Sequence, residues 1–298
     1  MTLQQGPPAP PPRRGAILAR ALLAAGMGWA PAPIAAAGQA DVAMPPPRQV
    51  WLGPSGAPLP FANDDEVLDF LQTARVVSRK TLGEGINHEQ KLLLERDGIQ
   101  AHAIFRTVHV ELRRRRVAGR YYVRFLDDYA HECAAYRLAR RLGLDDVPPA
   151  VLRRIDSTPG SVQIWVEGAR DETAAGFRPA HPMAWVKQVW DRILLDLLIL
   201  NVDRNPGNVL AGPDYHLWLI DHGRAFEPQG VLLEPDALRR VNRRAWEQLR
   251  ALSDQELKDL VRGFLDAEQL DALVARRARL AERVERLVSE HGEAAVFY

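Results

Sequence analysis

Asn201-Val-Asp-Arg-Asn-Pro-Gly-Asn208, followed thirteen residues later by Asp221-His-Gly223, is the stretch on which the reading of this chain turns. It supplies a carboxylate, an amide five residues on, and a second carboxylate opening a D-x-G turn. Oxygen ligands of this kind suit Mg²⁺ or Mn²⁺. A metal held by an amide and a carboxylate neutralises polyphosphate charge, while the other carboxylate orients a hydroxyl and takes its proton. Asp203 is therefore the candidate catalytic residue, and Asn208 and Asp221 are candidate metal ligands. The same residue types are ordinary turn formers. Their surroundings distinguish them here. A strongly apolar, buried helix is expected over residues 183–200, and a short hairpin (208–211 and 216–220, around Pro213-Asp214) separates the two motifs.

Outward from this stretch, the order of elements is strands, one helix, strands, an aperiodic crossing, then helices. Asn63-Asp-Asp-Glu66 starts a helix whose apolar face is Val67, Phe70 and Leu71. Strands follow over 75–82, 91–96 and 99–108, the last two joined at Asp97-Gly98. Residues 110–125, with the run Arg113–Arg116, read as an excursion with a solvated tip, the alternative being contact with an anionic acceptor or lipid headgroups. A helix is expected over 128–142, stopped by Gly143. Strands at 147–155 and 161–166 flank a turn at Ser157-Thr-Pro-Gly160. Beyond the central unit, a helix is expected over 234–252, then a capping box Ser253-Asp-Gln-Glu256, then a long helix repeating Leu270, Leu273, Leu280, Val284 and Leu287. Its Arg276, Arg277 and Arg279 read as solvated, and Trp185, Trp190 and Trp218 as core.

The composition sets limits. A chain of 298 residues can bury a sizeable core in one large unit or two lobes. A net charge of +1 argues against a general nucleic-acid binder, so no nucleic-acid partner is expected. The single cysteine, Cys133, excludes an internal disulfide and a cysteine zinc cage. Only four of the 39 basic residues are lysines, namely Lys80, Lys91, Lys187 and Lys258.

The N-terminus is of another character. A Pro-rich start, Arg13-Arg14 and a small apolar run over 16–30 precede small-residue cleavage positions, so 1–40 reads as a signal peptide. That predicts a periplasmic or secreted protein, with a disordered tail on a cytoplasmic one as the alternative. Residues 41–62 read as a Pro/Gly-rich linker, and no stable membrane span is expected.

Two blocks carry a family resemblance. Asp196-Leu-Leu-Ile-Leu-Asn-Val-Asp-Arg204 is similar to the D-x-L-I-x-N-x-D-R block of the secretory-pathway kinases related to Golgi casein kinase and four-jointed. Ile220-Asp-His-Gly-Arg-Ala-Phe226 is similar to their L-D-N-G-R-x-F block. The Asp-Arg order also resembles the phosphatidylinositol 3-/4-kinase group, and the chain resembles bacterial proteins of this kind that begin with a signal peptide. The match is close over 190–227 and looser over 66–298; the animal enzymes' disulfide framework is missing. The resemblance implies an α+β, two-lobed, protein-kinase-like fold. It places a β-rich N-lobe with one helix at 63–168 and a mostly helical C-lobe at 169–298. It further implies ATP with Mg²⁺ or Mn²⁺ in the cleft and a hydroxyl of a protein or sugar-like molecule as acceptor.

The same resemblance makes Glu132 the helix carboxylate that pairs with a phosphate-binding base on the third strand, where Arg106 stands in place of the usual lysine. Arginine is always charged and grips phosphate through a fork, but it is bulkier and not a neutral exchange for lysine. An unpaired Glu132 would be a solvated helix residue. Lys91 is the candidate substitute for the missing amine, and Gly83-Glu-Gly85 the candidate phosphate-covering turn, which an ordinary β-turn explains equally well. Asp196 on its apolar helix needs a partner and is expected to support the loop, and Arg204 is read either as pairing with a carboxylate of the loop's shell or as a surface arginine. Asn201 and Gly223 complete the two blocks. The rivals are a pseudokinase, motivated by Arg106, nucleotidyl transfer from a reversed ATP, and a phosphoinositide-type lipid kinase.

Overall fold

The computed structural model describes residues 50–82, 89–117, 119–171 and 177–298. The leader read over 1–40 and the turn Gly83-Glu-Gly85 lie outside these residues. Of the stretch read as linker, residues 50–62 fold back on the molecule: Trp51 is buried and stacks on Trp218 with ring centroids 4.9 Å apart.

Asn63 caps α1 (Asp64–Thr73) by accepting the Glu66 amide proton, and Val67, Phe70 and Leu71 are its buried face. Next come β1 (Arg75–Thr81), β2 (Gln90–Arg96) and β3 (Ile99–Arg106). β4 (His109–Val117) and β5 (Arg120–Asp128) form a separate two-stranded ribbon where the sequence reads as an excursion. α2 (Ala130–Leu142) ends at Gly143 in the left-handed conformation. β6 (Ala150–Ile155) and β7 (Thr158–Ile164) turn at Asp156-Ser157, both at positive φ. That corrects the turn expected at Ser157–Gly160, because Thr158, Pro159 and Gly160 are already paired with Ile155, Arg154 and Arg153.

One antiparallel sheet runs β1-β2-β3-β7-β6. Strand alternation gives it two unlike faces. Leu92, Ala103 and Ile164 lie in register on the face that packs with α1. Lys91, Ile104 and Gln163 lie in register on the other, which also carries Arg106.

The second half opens with β8 (Arg170–Asp171) and α3 (Pro182–Ile199). A 3₁₀ turn (Pro206–Asn208) leads into β9 (Val209–Ala211) and β10 (Leu217–Leu219), so the short hairpin expected between the two motifs is present. Only the last turns of α3 are fully buried; Met183 near its start is exposed, so the helix is amphipathic by length rather than buried throughout. The helix expected over 234–252 is divided into a 3₁₀ turn (Pro235–Ala237) and α4 (Arg243–Ala251), because Asn242 caps a new start. α5 (Asp254–Val261) has the capping box read at Ser253-Glu256. α6 (Ala267–His291) and α7 (Glu293–Val296) complete the chain.

Two apolar cores result. One lies between α1 and the five-stranded sheet, with Trp51 and Trp218 added. The other is built from α2, α3, β9, β10 and the helices that follow. α2 thus belongs to the helical core although it sits among the strands in sequence. Trp218 is core as expected, Trp185 packs at the core's margin, and Trp190 stacks on Tyr298. The expectation for Arg276 is overturned. It is fully buried and donates to the carbonyls of Leu198 (2.7 Å), Glu227 (2.9 Å) and Gln229 (2.8 Å). Among the described residues no helix is long and apolar enough to cross a membrane.

Candidate active site

The site begins where α3 ends. Leu200 closes that helix in the left-handed conformation, a strained state for a branched side chain, and its burial holds it there. Phe226, also at positive φ, returns an amide hydrogen bond to Ile199 O at 2.6 Å. The chain leaving α3 and the chain leaving D-H-G are thereby tied together at one point.

Within the loop, Asn201 is buried and its Oδ1 accepts the Asp203 amide proton at 3.1 Å. Asn208 Nδ2 donates to Asp203 O at 2.9 Å, which leaves Oδ1 as the oxygen this amide has to offer a cation. Arg204 is the keystone. Its Nε and Nη2 grip Asp196 at 3.0–3.2 Å, and its Nη1 donates to Asn208 O and Ile220 O, each at 2.8 Å. One guanidinium therefore joins α3, the loop and the residue before Asp221. Asp203 itself is half-buried, with its backbone engaged by the turn.

Asp221 sits at φ 58°, a conformation that aspartate tolerates better than most residues. Burial raises its carboxyl above the ordinary range; Arg106 opposes the rise, while Glu132, Glu89 and Asp203 add to it. Such a carboxylate gains when a cation arrives. Among the described residues no three His, Cys, Asp or Glu side chains converge as a metal cage. The donor set fits an ion bound by one or two protein oxygens and completed by phosphate oxygens and water, as Mg²⁺ commonly is.

Above Asp221 the sheet supplies Arg106, buried, with Nε donating to Glu89 at 2.8 Å and Nη1 to Gln163 at 3.2 Å. Burial works against its charge, but Glu132, Glu89 and Asp221 together outweigh that and hold the guanidinium firmly protonated. Glu132 is fully buried, not solvated. It lies 3.9 Å from Arg106 Nε, yet its closer partners are the His222 amide at 2.6 Å and His222 Nδ1 at 3.1 Å. Burial opposes its ionisation, and Arg106 and His222 overcome that to hold the carboxyl at about 2. Lys91 is not brought to Glu132. Its amine lies over the Trp165 ring and 3.9 Å from Glu167, which also bonds His102.

Three residues here were not read from the sequence as site residues. Asp127 at the end of β5 crosses Gly223 so closely that a Cβ there would lie 2.5 Å from its Oδ1. Burial, then Asp221, raises its carboxyl to about 6. His131 Nδ1 donates to Gly223 O at 2.7 Å while its Nε2 meets Gln269 at 2.9 Å. His222 holds Glu132 as described. The available signal was the acid pair Asp127-Asp128 ending an apolar strand just before α2, and the His131-Glu132 pair that follows.

No protein-family model and no curated protein sequence matches the chain. Solved structures do match its fold. A hydra Fam20 structure with sugar superposes at TM-score 0.57 with 16% identity, covering 80% of this chain and 93% of that one. The Golgi casein kinase superposes at 0.57 with 14% identity, covering 80% and 78%. Its Mn/ADP-bound structure gives 0.53 with 16% identity, covering 78% of each. The chain has the Fam20 kinase fold. In this Fam20-like frame the strand-rich half and the helical half stand as expected for a mixed, kinase-like architecture. At such identities the likeness speaks for the fold, and the chemistry rests on the side chains of this chain.

Proposed function

We propose that the protein is an atypical kinase: an ATP-dependent phosphotransferase that uses Mg²⁺ or Mn²⁺ and a hydroxyl acceptor on a protein or sugar-like molecule. The observation that carries the reading is the Arg204 fork. It binds Asp196, Asn208 O and Ile220 O at once, and so ties the loop bearing Asp203 and Asn208 to the approach to Asp221. Preorganisation of this kind is what phosphoryl transfer requires of a protein. Asp203 orients the acceptor hydroxyl and takes its proton. Asn208 and Asp221 hold the cation, which neutralises the phosphates, and Arg106 reaches them from above while Glu132 fixes the D-H-G turn. The sequence reads Gly83 and Gly85 as a phosphate-covering turn, which lies outside the described residues. The Golgi casein kinase structure with Mn/ADP supports a nucleotide with a divalent metal as the ligand pair. Export through the leader at 1–40 rests on the sequence alone.

The pseudokinase reading draws on one observation. Arg106 is already bound to Glu89, and the Glu132 carboxylate expected to pair with it is bound to His222. The test is turnover of ATP by the full chain with Mg²⁺ and with Mn²⁺. Turnover lost in Asp203→Ala and Asp221→Ala, with folding intact, supports transfer. A metal-dependent rise in Tm with ATP but no turnover supports the pseudokinase. Mass spectrometry of the modified acceptor separates an added phosphate from an added nucleotide monophosphate.

A further inference from the structure

The β4–β5 ribbon stands outside both cores, and its strands pack mainly on each other. Residues 113–124 contain six arginines and no acidic residue. Arg113 pairs with Glu111, and Arg124 anchors the ribbon's middle to Glu111, Glu268 and Asp266. Arg114, Arg115 and Arg116 are exposed, and among the described residues none of them meets a carboxylate. Beside them stand exposed apolar side chains. Val123 is 72% exposed, Tyr121 53%, and Val110 and Leu112 38% each. Register places Arg116 opposite Tyr121, on the face that also carries Val123, and Arg115 opposite Tyr122 on the other face, so cationic groups flank the exposed apolar ones on both sides of the blade.

We infer that this ribbon docks on an anionic membrane surface, with Arg114–Arg116 among the headgroups and Val123 and Tyr121 at the interfacial layer. Arginines with exposed aliphatic and aromatic side chains on one projecting element are what such a surface rewards. An acidic protein would match the charge, but it would find no groove on a blade two strands wide, and it would leave Val123 unexplained. At the ribbon's base Asp127 lies over Gly223. Docking would therefore bring the cleft near the surface that holds the ribbon.

The experiment uses the full chain with Val123→Cys labelled by an environment-sensitive dye. Cys133 is the sole native cysteine, and burial both hides its thiol and pushes its pKa up, so the dye reports the ribbon and not the leader. Vesicles of phosphatidylglycerol with phosphatidylcholine are expected to shift the emission to the blue, and pure phosphatidylcholine vesicles are not. Each arginine changed to glutamine among 114–116 is expected to weaken partitioning about fivefold. Far-UV spectra and Tm of the variants check that the fold persists. No emission shift on anionic vesicles, or partitioning unchanged in the triple glutamine variant, overturns the inference. Equal capture by a soluble acidic polypeptide with the same shift also overturns it, in favour of a protein partner.

Discussion

Gly223 shows how closely single residues are specified at this site. Asp127 Oδ1 passes where a Cβ would be, and Asp128 N and His131 both bond the Gly223 carbonyl, so the turn cannot withdraw. Gly223→Ala is expected to lower stability by about 1–3 kcal/mol through overpacking. It should also diminish the Tm rise produced by Mn²⁺ with ATP. An unchanged Tm in differential scanning fluorimetry would mean that Asp127 swings aside freely. The D-x-G pattern was legible, but its steric reason was not, because Asp127 arrives from a distant strand. Arg276 teaches the complementary lesson. Composition made it one of many surface arginines, whereas its spacing from Leu273 and Leu280 places it on the buried stripe. Arg276→Lys keeps a charge, but a single ammonium cannot reach carbonyls that arginine meets separately from Nε and Nη1. A loss of about 3 kcal/mol is expected, because a buried cation is left short of acceptors. Chemical denaturation reads it, and a loss well under 1 kcal/mol would contradict the buried fork.

At the scale of elements, α2 is the member that decides whether the site is assembled. Glu132 receives the amide and Nδ1 of His222, and Gln163 Nε2 lies 3.4 Å away. With His131 on Gly223 O, two adjacent residues of one helix hold the D-H-G turn, and the helix itself is packed into the helical core. This is a clamp, not a helix free to sway. Glu132→Gln replaces one acceptor by a donor that faces donors, and it removes the charge beside Arg106. A destabilisation of about 2–3 kcal/mol is expected, with a weaker nucleotide-dependent Tm shift. Glu132→Gln with wild-type stability would show that the clamp is not needed for the fold. Local elements were readable because their signals are local: the Asn63 cap, the Asp97-Gly98 hairpin and the Ser253 capping box. The β6–β7 turn was misplaced because Pro159 and Gly160 look like turn formers. Gly160 is glycine for another reason, since a Cβ there would overlap Arg106 O and the Phe105 ring.

At the scale of the molecule, the helical half is closed by Tyr298. Its hydroxyl donates to Asp191 at 2.7 Å and contacts Lys187 O at 2.9 Å, while Asn242 at the start of α4 approaches the same carboxylate at 3.4 Å. Asp191 thus sits where α3, α4 and the final residues meet. Burial raises its carboxyl to about 6, against the hydrogen bonds from Tyr298 and Asn242 that favour its charge. The folded state therefore holds this proton more tightly than the unfolded chain, whose ordinary value is 3.8. The associated stability is fully present below about pH 4 and is lost as pH rises through about 6, up to about 3 kcal/mol in all. Asp191→Asn keeps a neutral group with an oxygen for Tyr298 and does not titrate. The difference in unfolding free energy, wild type minus Asp191→Asn, is expected to fall between about pH 4 and pH 6 and to level off above that. Taking the difference cancels Asp127 and the other acids, which titrate in both proteins. Urea denaturation across that range measures it. A flat difference would place Asp191 in contact with water, and the junction of α3, α4 and Tyr298 would then be open rather than closed.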